Sequence, residues 1–121
     1  MKYNNKVAII TGGARDIGKA ISIRLASEGV KVVINYLNND EQAKETMQTI
    51  QDAGGSCILV KGDATKNEDV LRIVEETKKH FGGEINMLVN VTGGLVARKL
   101  LEDMDADFWD YVMALNTRSA F

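Results

Sequence analysis

Four short apolar runs alternate along this chain with segments of helical periodicity. The runs are nearly continuous in apolar residues and rich in β-branched side chains, which is typical of strands buried on both faces of a sheet. They are Val7–Thr11, Val30–Ile34, Cys57–Val60 and Met87–Val91. Because each run is followed by a helix-like segment, the pattern predicts a doubly wound parallel sheet of the α/β class, with helices on both faces in three αβα layers.

The segments between the runs each carry one apolar stripe at the spacing of an amphipathic helix. The stripe of the first segment consists of Ile17, Ala20, Ile21 and Leu25. Thr65, followed three residues later by Glu68, predicts a capping box at the start of the third helix. Asp105 is the predicted N-cap of a last helix.

Composition limits the remaining possibilities. The chain of 121 residues is 45% hydrophobic, which is enough for one domain, residues 1–121, to bury a core. Its net charge is −2, and its basic residues are scattered, so we expect neither a nucleic-acid nor a membrane partner. A single Cys, a single His and an early apolar stretch of only four residues predict no disulfide, no metal site and a cytoplasmic location.

A glycine-rich turn separates the first apolar run from the first helix. Such a turn lets backbone N–H groups and the positive end of a helix come close to a pyrophosphate. The turn comprises Thr11, Gly12, Gly13, Ala14, Arg15, Asp16, Ile17 and Gly18. Its place at the first strand-to-helix junction predicts a dinucleotide-binding site.

This glycine turn (residues 11–18) resembles that of the short-chain dehydrogenase/reductase family, whose motif is Thr-Gly-x-x-x-Gly-x-Gly. Thr11, Gly12 and Gly18 match the motif, whereas Asp16 replaces its middle glycine. The resemblance covers essentially the whole chain and implies the N-terminal half of such an enzyme, with a Rossmann-like fold. It also implies hydride transfer between a nicotinamide cofactor and a carbonyl or alcohol substrate.

Two positions bear on the choice of cofactor. Tyr36 follows the second run, where enzymes that use NAD commonly carry an Asp or Glu that binds the ribose. Because Tyr36 does not repel a 2′-phosphate and Arg15 resembles the arginine of NADP-dependent relatives, we expect NADP rather than NAD. Asp40 and Glu41 nearby count against this preference. We expect Asp16 to cap the first helix, with Arg15 offsetting its charge.

Further cofactor residues are implied by the resemblance. Asp63 and Ala64 follow the third run, where the family binds adenine, although an Asp at this place also commonly forms a turn. Asn90, Thr92 and Gly93 belong to a segment similar to the family's Asn-Asn-Ala-Gly, which lies along the ribose side of the cofactor.

Asn116 lies within the last helical pattern, where Asn is a poor helix former. In the family, an Asn at this place interrupts the helix, and its carbonyl holds a water that feeds a proton relay. The family's catalytic Ser, and its Tyr followed by Lys four residues later, lie further along the chain. None of Tyr3, Tyr36 and Tyr111 is followed by Lys at that spacing. We therefore expect a truncated chain that binds the cofactor and does not turn over substrate alone.

The substrate and partners are implied only loosely. The segments around Tyr36 and after Asn90 look most like those of 3-oxoacyl-acyl-carrier-protein reductases, which implies a small-molecule or acyl-thioester carbonyl substrate and a homo-oligomer, dimer or tetramer, at full length. One alternative is a stand-alone nucleotide-binding module. The other is a receiver-type signalling domain, which needs a pair of carboxylates where this chain has Thr11 and Gly12.

Overall fold

Four parallel strands form a single sheet in the computed structural model, which describes residues 2–121. The strands are β1 (Val7–Thr11), β2 (Lys31–Tyr36), β3 (Ser56–Lys61) and β4 (Met87–Asn90). Their order across the sheet is β3-β2-β1-β4, so the chain builds outward from β1 to β3 and then crosses back to place β4 on the other side of β1. The predicted doubly wound parallel α/β sheet is confirmed.

Helices connect the strands and extend beyond the last one. They are α1 (Asp16–Ser27), α2 (Asp40–Asp52), α3 (Asn67–Phe81) and α4 (Ala106–Met113). A short 3₁₀ turn, Leu101–Asp103, precedes α4, and a π-helical segment, Ala114–Arg118, follows it. Within residues 2–121, none of the helices combines the length and apolar character needed to cross a lipid bilayer.

Two apolar layers cover the two faces of the sheet. On one face, Ala8 and Ile10 of β1 belong to a core that includes Ala26 of α1 and Ile50 of α2. On the other face, Ile9 belongs to a smaller core with residues of β2, β3 and α3, namely Val33, Val60 and Ile73. Because neighbouring residues of β1 point to opposite faces and both faces are covered, the run has no polar alternation.

The buried stripe of α1 matches the predicted one only in part: Ile21 and Leu25 pack against the core and are partly buried, but other residues are buried more completely. The buried residues are Gly18, Ser22 and Ala26, whereas Ile17 is 71% exposed. These three residues are small and recur every four positions, which places them on one side of the helix. Small side chains allow α1 to approach β1 and the glycine turn closely, so steric fit rather than apolar content selects the buried face.

Of the caps predicted at Thr65 and Asp105, the one at Thr65 is wrong. α3 begins at Asn67, and its N-cap residue, Lys66, makes no side-chain cap. Thr65 lies one residue before the N-cap, and its hydroxyl donates to Oδ1 of Asp63 at 2.6 Å, a bond within the turn that follows β3. Asp105 is confirmed as the N-cap of α4, since its Oδ1 accepts the N–H of Phe108 at 2.8 Å.

Candidate functional site

A cavity of about 390 Å³ opens at the carboxyl ends of the strands. Its wall combines the glycine turn with the loops that follow β2, β3 and β4, and with two residues near the end of the chain, Tyr111 and Leu115. The cavity therefore lies at the edge of the sheet where β1 separates β2 from β4. Ligands of open α/β sheets bind at this switch point of strand order.

The first and last glycines of the turn have no room for side chains, the first against the segment after β4 and the last against the turn itself. Gly12 has a φ of +65°, and a Cβ there would lie 3.2 Å from the backbone nitrogen of Thr92. A Cβ on Gly18 would overlap the carbonyl of Gly12. Both glycines thus bring the N-terminus of α1 close to β1. The first-turn N–H groups of α1 have no partner within the helix and suit a pyrophosphate.

Asp16 does not cap α1, contrary to the sequence-based expectation. The N-cap residue is Arg15, whose extended backbone (φ −144°, ψ 163°) carries no side-chain cap. Asp16 is the first helical residue and has a φ of +50°, in the left-handed region that a glycine adopts freely. Its carboxylate is 86% exposed, and its Oδ2 lies 3.9 Å from Nε of Arg15. The expected charge partner is present, but an ion pair this exposed is weak.

Tyr36 is the last residue of β2 and lies on the cavity wall. Its hydroxyl bonds to Asp40, which forms an ion pair with Lys61 outside the wall. The hydroxyl donates to Oδ1 of Asp40 at 2.8 Å, and Nζ of Lys61 lies 3.4 Å from the same carboxylate oxygen. The hydrogen bond from Tyr36, with a smaller contribution from Lys61, lowers the pKa of Asp40, although partial desolvation opposes the shift. Burial, together with Asp40, raises the pKa of Tyr36. The carboxylate of Asp40 is thus paired with Lys61 at the surface.

Asp63 follows β3 on the same wall and is anchored by Thr65. Its Oδ1 accepts the N–H of Thr65 at 2.9 Å and the Thr65 hydroxyl at 2.6 Å. Burial acts to raise the pKa of Asp63, but these two bonds and the charge of Lys66 outweigh it, so the pKa is lowered. Both bonds go to Oδ1, which leaves Oδ2 as the acceptor for a ligand. Ala64 lies beside it on the wall.

Three of the predicted cofactor residues lie behind the wall. Oγ1 of Thr11 accepts the N–H of Val91 at 3.2 Å and so joins the end of β1 to the segment after β4. Gly13 packs onto α1, where a Cβ would lie 2.9 Å from Oγ of Ser22. Asn90 pairs in register with Thr11 and lines a groove on the α3 face instead. Strand pairing and close packing engage these three residues, so they support the wall from behind and do not line it.

The rest of the predicted set lies on the wall itself. Its members come from the glycine turn and from the segments that follow β2, β3 and β4. They are Gly12, Ala14, Arg15, Asp16, Ile17, Gly18, Tyr36, Asp63, Ala64, Thr92 and Gly93.

Asn116 lies outside the cavity wall and clamps the loop after β4. Its Oδ1 accepts the N–H of Gly94, and its Nδ2 donates to the carbonyl of Gly94, both at 2.9 Å. Nδ2 also donates to the carbonyl of Val112, four residues earlier, at 3.0 Å. The residue lies in the π-helical segment, so the α-helix is interrupted here as the resemblance implies. Such interruptions occur frequently at functional sites.

Several wall residues were missed from the sequence. Leu37, Asn38 and Asn39 directly follow β2, and the rule that ligands bind beyond strand ends would have included them. Tyr111 and Leu115 gave no such signal, because only the packing of the chain after β4 brings them to the cavity. Residues 2–121 contain no group of three or more His, Cys, Asp or Glu side chains placed to hold a metal ion.

Sequence comparison shows which proteins this chain resembles. The sequence model of the short chain dehydrogenase family matches residues 6–121. The hydroxynaphthalene reductase-like protein Arp2 of Metarhizium acridum is 40% identical over 116 residues, which are 96% of this chain and 43% of that protein. The Arp2 protein of Metarhizium robertsii is 37% identical over the same coverage.

Solved structures give the same result. A short-chain dehydrogenase/reductase from Serratia marcescens superposes with a TM-score of 0.93 at 33% identity, covering 100% of this chain and 49% of that one. A dehydrogenase/reductase from Sinorhizobium meliloti superposes with a TM-score of 0.91 at 36% identity, covering 98% and 46%. The chain therefore spans somewhat less than half the length of the relatives it matches.

Proposed function

Since the chain belongs to the short-chain dehydrogenase/reductase family, we propose that it provides the dinucleotide site of an oxidoreductase that prefers NADP to NAD. One observation carries this proposal. Gly18 packs on the carbonyl of Gly12 without room for a Cβ, which brings the N-terminus of α1 to the cavity at the switch point of the sheet. A pyrophosphate needs this combination of backbone N–H groups and close approach.

Each part of the cavity wall has a proposed role. The N–H groups of the glycine turn would bind the pyrophosphate, and Asp63 with Ala64 would bind the adenine. Thr92 and Gly93 would lie along the nicotinamide ribose, in a loop that Asn116 holds through Gly94. When bound, the nicotinamide exchanges a hydride with a carbonyl or alcohol substrate.

Asn116 is the one residue of the proton relay that we propose for this chain. Its side chain is already engaged with Gly94 and Val112. Its part in the relay would therefore come from its main-chain carbonyl, which would hold a water. No Tyr of the sequence is followed by Lys four residues later. We propose that residues 1–121 form a single dinucleotide-binding unit, the N-terminal half of such an enzyme, without turnover of their own.

The preference for NADP rests on charge. Arg15 is 68% exposed and lies on the cavity wall, free to reach a 2′-phosphate. Tyr36 places no carboxylate beside it, and the nearby carboxylate of Asp40 is paired with Lys61. A phosphate at the end of β2 would therefore meet Arg15, and the carboxylates that oppose it are those of Asp16 and Glu41.

Titration of the chain with NADPH and with NADH, followed by fluorescence, tests both parts of this proposal. We expect NADPH to bind about tenfold tighter or more, which corresponds to one charge-assisted contact. Equal affinities would refute the preference for NADP, and binding of neither dinucleotide would refute the function.

The arginine can be tested by itself. Arg15→Ala should weaken binding of NADPH about tenfold and leave NADH nearly unchanged, because only NADPH carries the 2′-phosphate. Arg24→Ala is the matched control, since Arg24 is an exposed arginine of the same helix that pairs with Glu28 instead. A similar loss for both variants would mean that net charge, not a contact from Arg15, decides the affinity.

Two substrate classes are proposed. The likeness to 3-oxoacyl-acyl-carrier-protein reductases around Tyr36 and after Asn90 favours an acyl-thioester carbonyl. The name of the Metarhizium relatives favours a hydroxynaphthalene as the second candidate. Oxidation of NADPH by the full-length protein with each compound distinguishes them.

Assembly and location are proposals as well. α4 exposes Trp109 and Met113, apolar surface of the kind that subunit contacts cover, so we propose a homo-oligomer at full length. A single, buried Cys57 favours a reducing compartment, the cytoplasm.

A stand-alone nucleotide-binding module is the alternative function, and it predicts tight NADPH binding by a monodisperse protein of 13.3 kDa. Membership of the short-chain dehydrogenase/reductase family excludes the other alternative, a receiver-type signalling domain.

A further inference from the structure

Two buried hydroxyl groups hold the glycine turn from the side of the helices. Oγ of Ser22, on α1, donates to the carbonyls of Gly13 at 3.0 Å and Gly18 at 2.8 Å. Oγ1 of Thr46, on α2, donates to the carbonyl of Ala14 at 2.6 Å. Both hydroxyl residues are fully buried. The Thr46 bond joins residues 32 positions apart, so it depends on the packing of α2 against the turn.

The direction of the Thr46 hydroxyl is unusual for a helical threonine. A Thr inside a helix commonly returns its hydroxyl to the carbonyl four residues earlier. Thr77 of α3 does so, since its Oγ1 donates to the carbonyl of Ile73 at 2.7 Å, and Thr77 is as buried as Thr46. Thr46 instead directs its hydroxyl out of its own helix and onto the turn.

A hydrogen bond that fixes the direction of a carbonyl also fixes the direction of the N–H of the next residue. The peptide group is planar and trans, so its C=O and N–H point in opposite directions. With the Ala14 carbonyl held toward α2, the N–H of Arg15 points away from α2, and both residues lie on the cavity wall. Within residues 2–121, the N–H of Arg15 makes no hydrogen bond. It is therefore an oriented donor at a site that we propose for an anion.

We propose that Thr46 is a positioning residue for dinucleotide binding: its hydroxyl holds the Ala14–Arg15 peptide so that the N–H of Arg15 meets a phosphate oxygen of the cofactor. This inference rests on the proposed function. The phosphate belongs either to the pyrophosphate or to the 2′-phosphate, which share the anionic oxygen that an N–H binds.

Three variants of the full chain separate this role from a purely structural one. Thr46→Val removes the hydroxyl at nearly constant shape, and Thr46→Ser keeps it. Thr77→Val is the matched control, because it removes an equally buried hydroxyl that does not touch the turn. We expect Thr46→Val to weaken NADPH binding about tenfold, and the other two variants to stay within about threefold of the unsubstituted chain.

The ligand series identifies the phosphate. NADH lacks the 2′-phosphate, adenosine 2′-monophosphate lacks the pyrophosphate, and adenosine lacks both. A loss on Thr46→Val confined to NADPH and NADH assigns the contact to the pyrophosphate, and a loss confined to NADPH and adenosine 2′-monophosphate assigns it to the 2′-phosphate. An equal loss for adenosine, or an equal loss in Thr77→Val, overturns the inference.

Two further results keep the inference distinct from the proposed function. If the unsubstituted chain binds NADPH and Thr46→Val binds it equally well, the inference fails and the proposed function stands. If the unsubstituted chain binds no dinucleotide, the proposed function itself fails. Should Thr46→Val not fold, the amide proton resonance of Arg15 in the unsubstituted chain decides: it must move when NADPH binds, and a resonance that does not move overturns the inference.

Discussion

Asp16 shows how one residue can depart from a motif while the backbone keeps the motif's shape. Its φ of +50° is a glycine-like angle, which L-residues other than Asn and Asp rarely adopt. Asp is one of the few L-residues that tolerate this region, and its carboxylate lies 3.9 Å from Nε of Arg15. The conformation is thus retained, and what changes is the charge at the cavity wall.

Replacing Asp16 tests what this charge does. We expect Asp16→Gly to tighten NADPH binding about fivefold, since removing one exposed carboxylate near the diphosphate relieves roughly 1 kcal/mol of repulsion. Asp16→Asn is the control, because it removes the charge and keeps a side chain that tolerates positive φ. Fluorescence titration measures both variants. A gain of a hundredfold or more for Asp16→Gly would show that Asp16 impairs the site rather than adapting it.

Cys57 gives a residue-scale prediction about reactivity. Burial raises the pKa of the Cys57 thiol to about 12, and the thiolate is the form that reacts with alkylating agents. At pH 8 we expect iodoacetamide to modify native Cys57 far more slowly than the unfolded chain. Stability should fall as pH rises from about 9 toward 12, because only the unfolded state loses its proton in that range. Equal alkylation rates with and without denaturant would contradict the burial of this thiol.

At the scale of elements, apolar content predicted the strands better than the helix faces. β1 and the middle of β2 are buried on both sides, so every residue there carries the same apolar signal. β4 is not buried as its apolar run predicted: its residues alternate between half-buried and exposed, and Leu88 is 59% exposed. α1 buries Gly18 and Ser22 and exposes Ile17, because the turn above it leaves no space for large side chains. The misplaced cap at Thr65 has a different origin: the N-cap of α3 lies one residue later than predicted, and the Thr65 hydroxyl bonds to Asp63 within the turn.

Gly18→Ala tests this packing between α1 and the turn. Its Cβ would overlap the carbonyl of Gly12, so the helix must move away. We expect a loss of about 1 to 3 kcal/mol in the free energy of unfolding and a dinucleotide affinity reduced at least tenfold. Gly83→Ala is the control, as a Cβ there meets nothing within 4 Å. Urea denaturation and NADPH titration measure both; an unaffected Gly18→Ala would mean that the turn adapts.

For the whole molecule, the cavity gathers segments from across the chain, so a ligand bound there should stabilise all of them together. The wall includes residues from the turn after β1 and from α4, at positions such as Gly12 and Tyr111. We expect NADPH at 100 times its Kd to raise the free energy of unfolding by about 2.7 kcal/mol. Thermal denaturation with and without NADPH measures this. Binding without any rise in Tm would place the ligand on a surface that persists after unfolding.

The sequence by itself determined the strands, their parallel arrangement in a doubly wound sheet and the position of the glycine turn, because these depend on local periodicity and on glycine at fixed offsets. The order of the strands across the sheet came from the structure. It also identified most of the cavity wall, since parallel strands bring their carboxyl ends to one edge. Only the tertiary structure decided that Thr11, Gly13 and Asn90 stand behind the wall. It also decided that Thr46 reaches Ala14 and that Asn116 clamps Gly94. These contacts join residues distant in sequence, and their geometry follows from how closely the helices pack on the sheet, which no local pattern records.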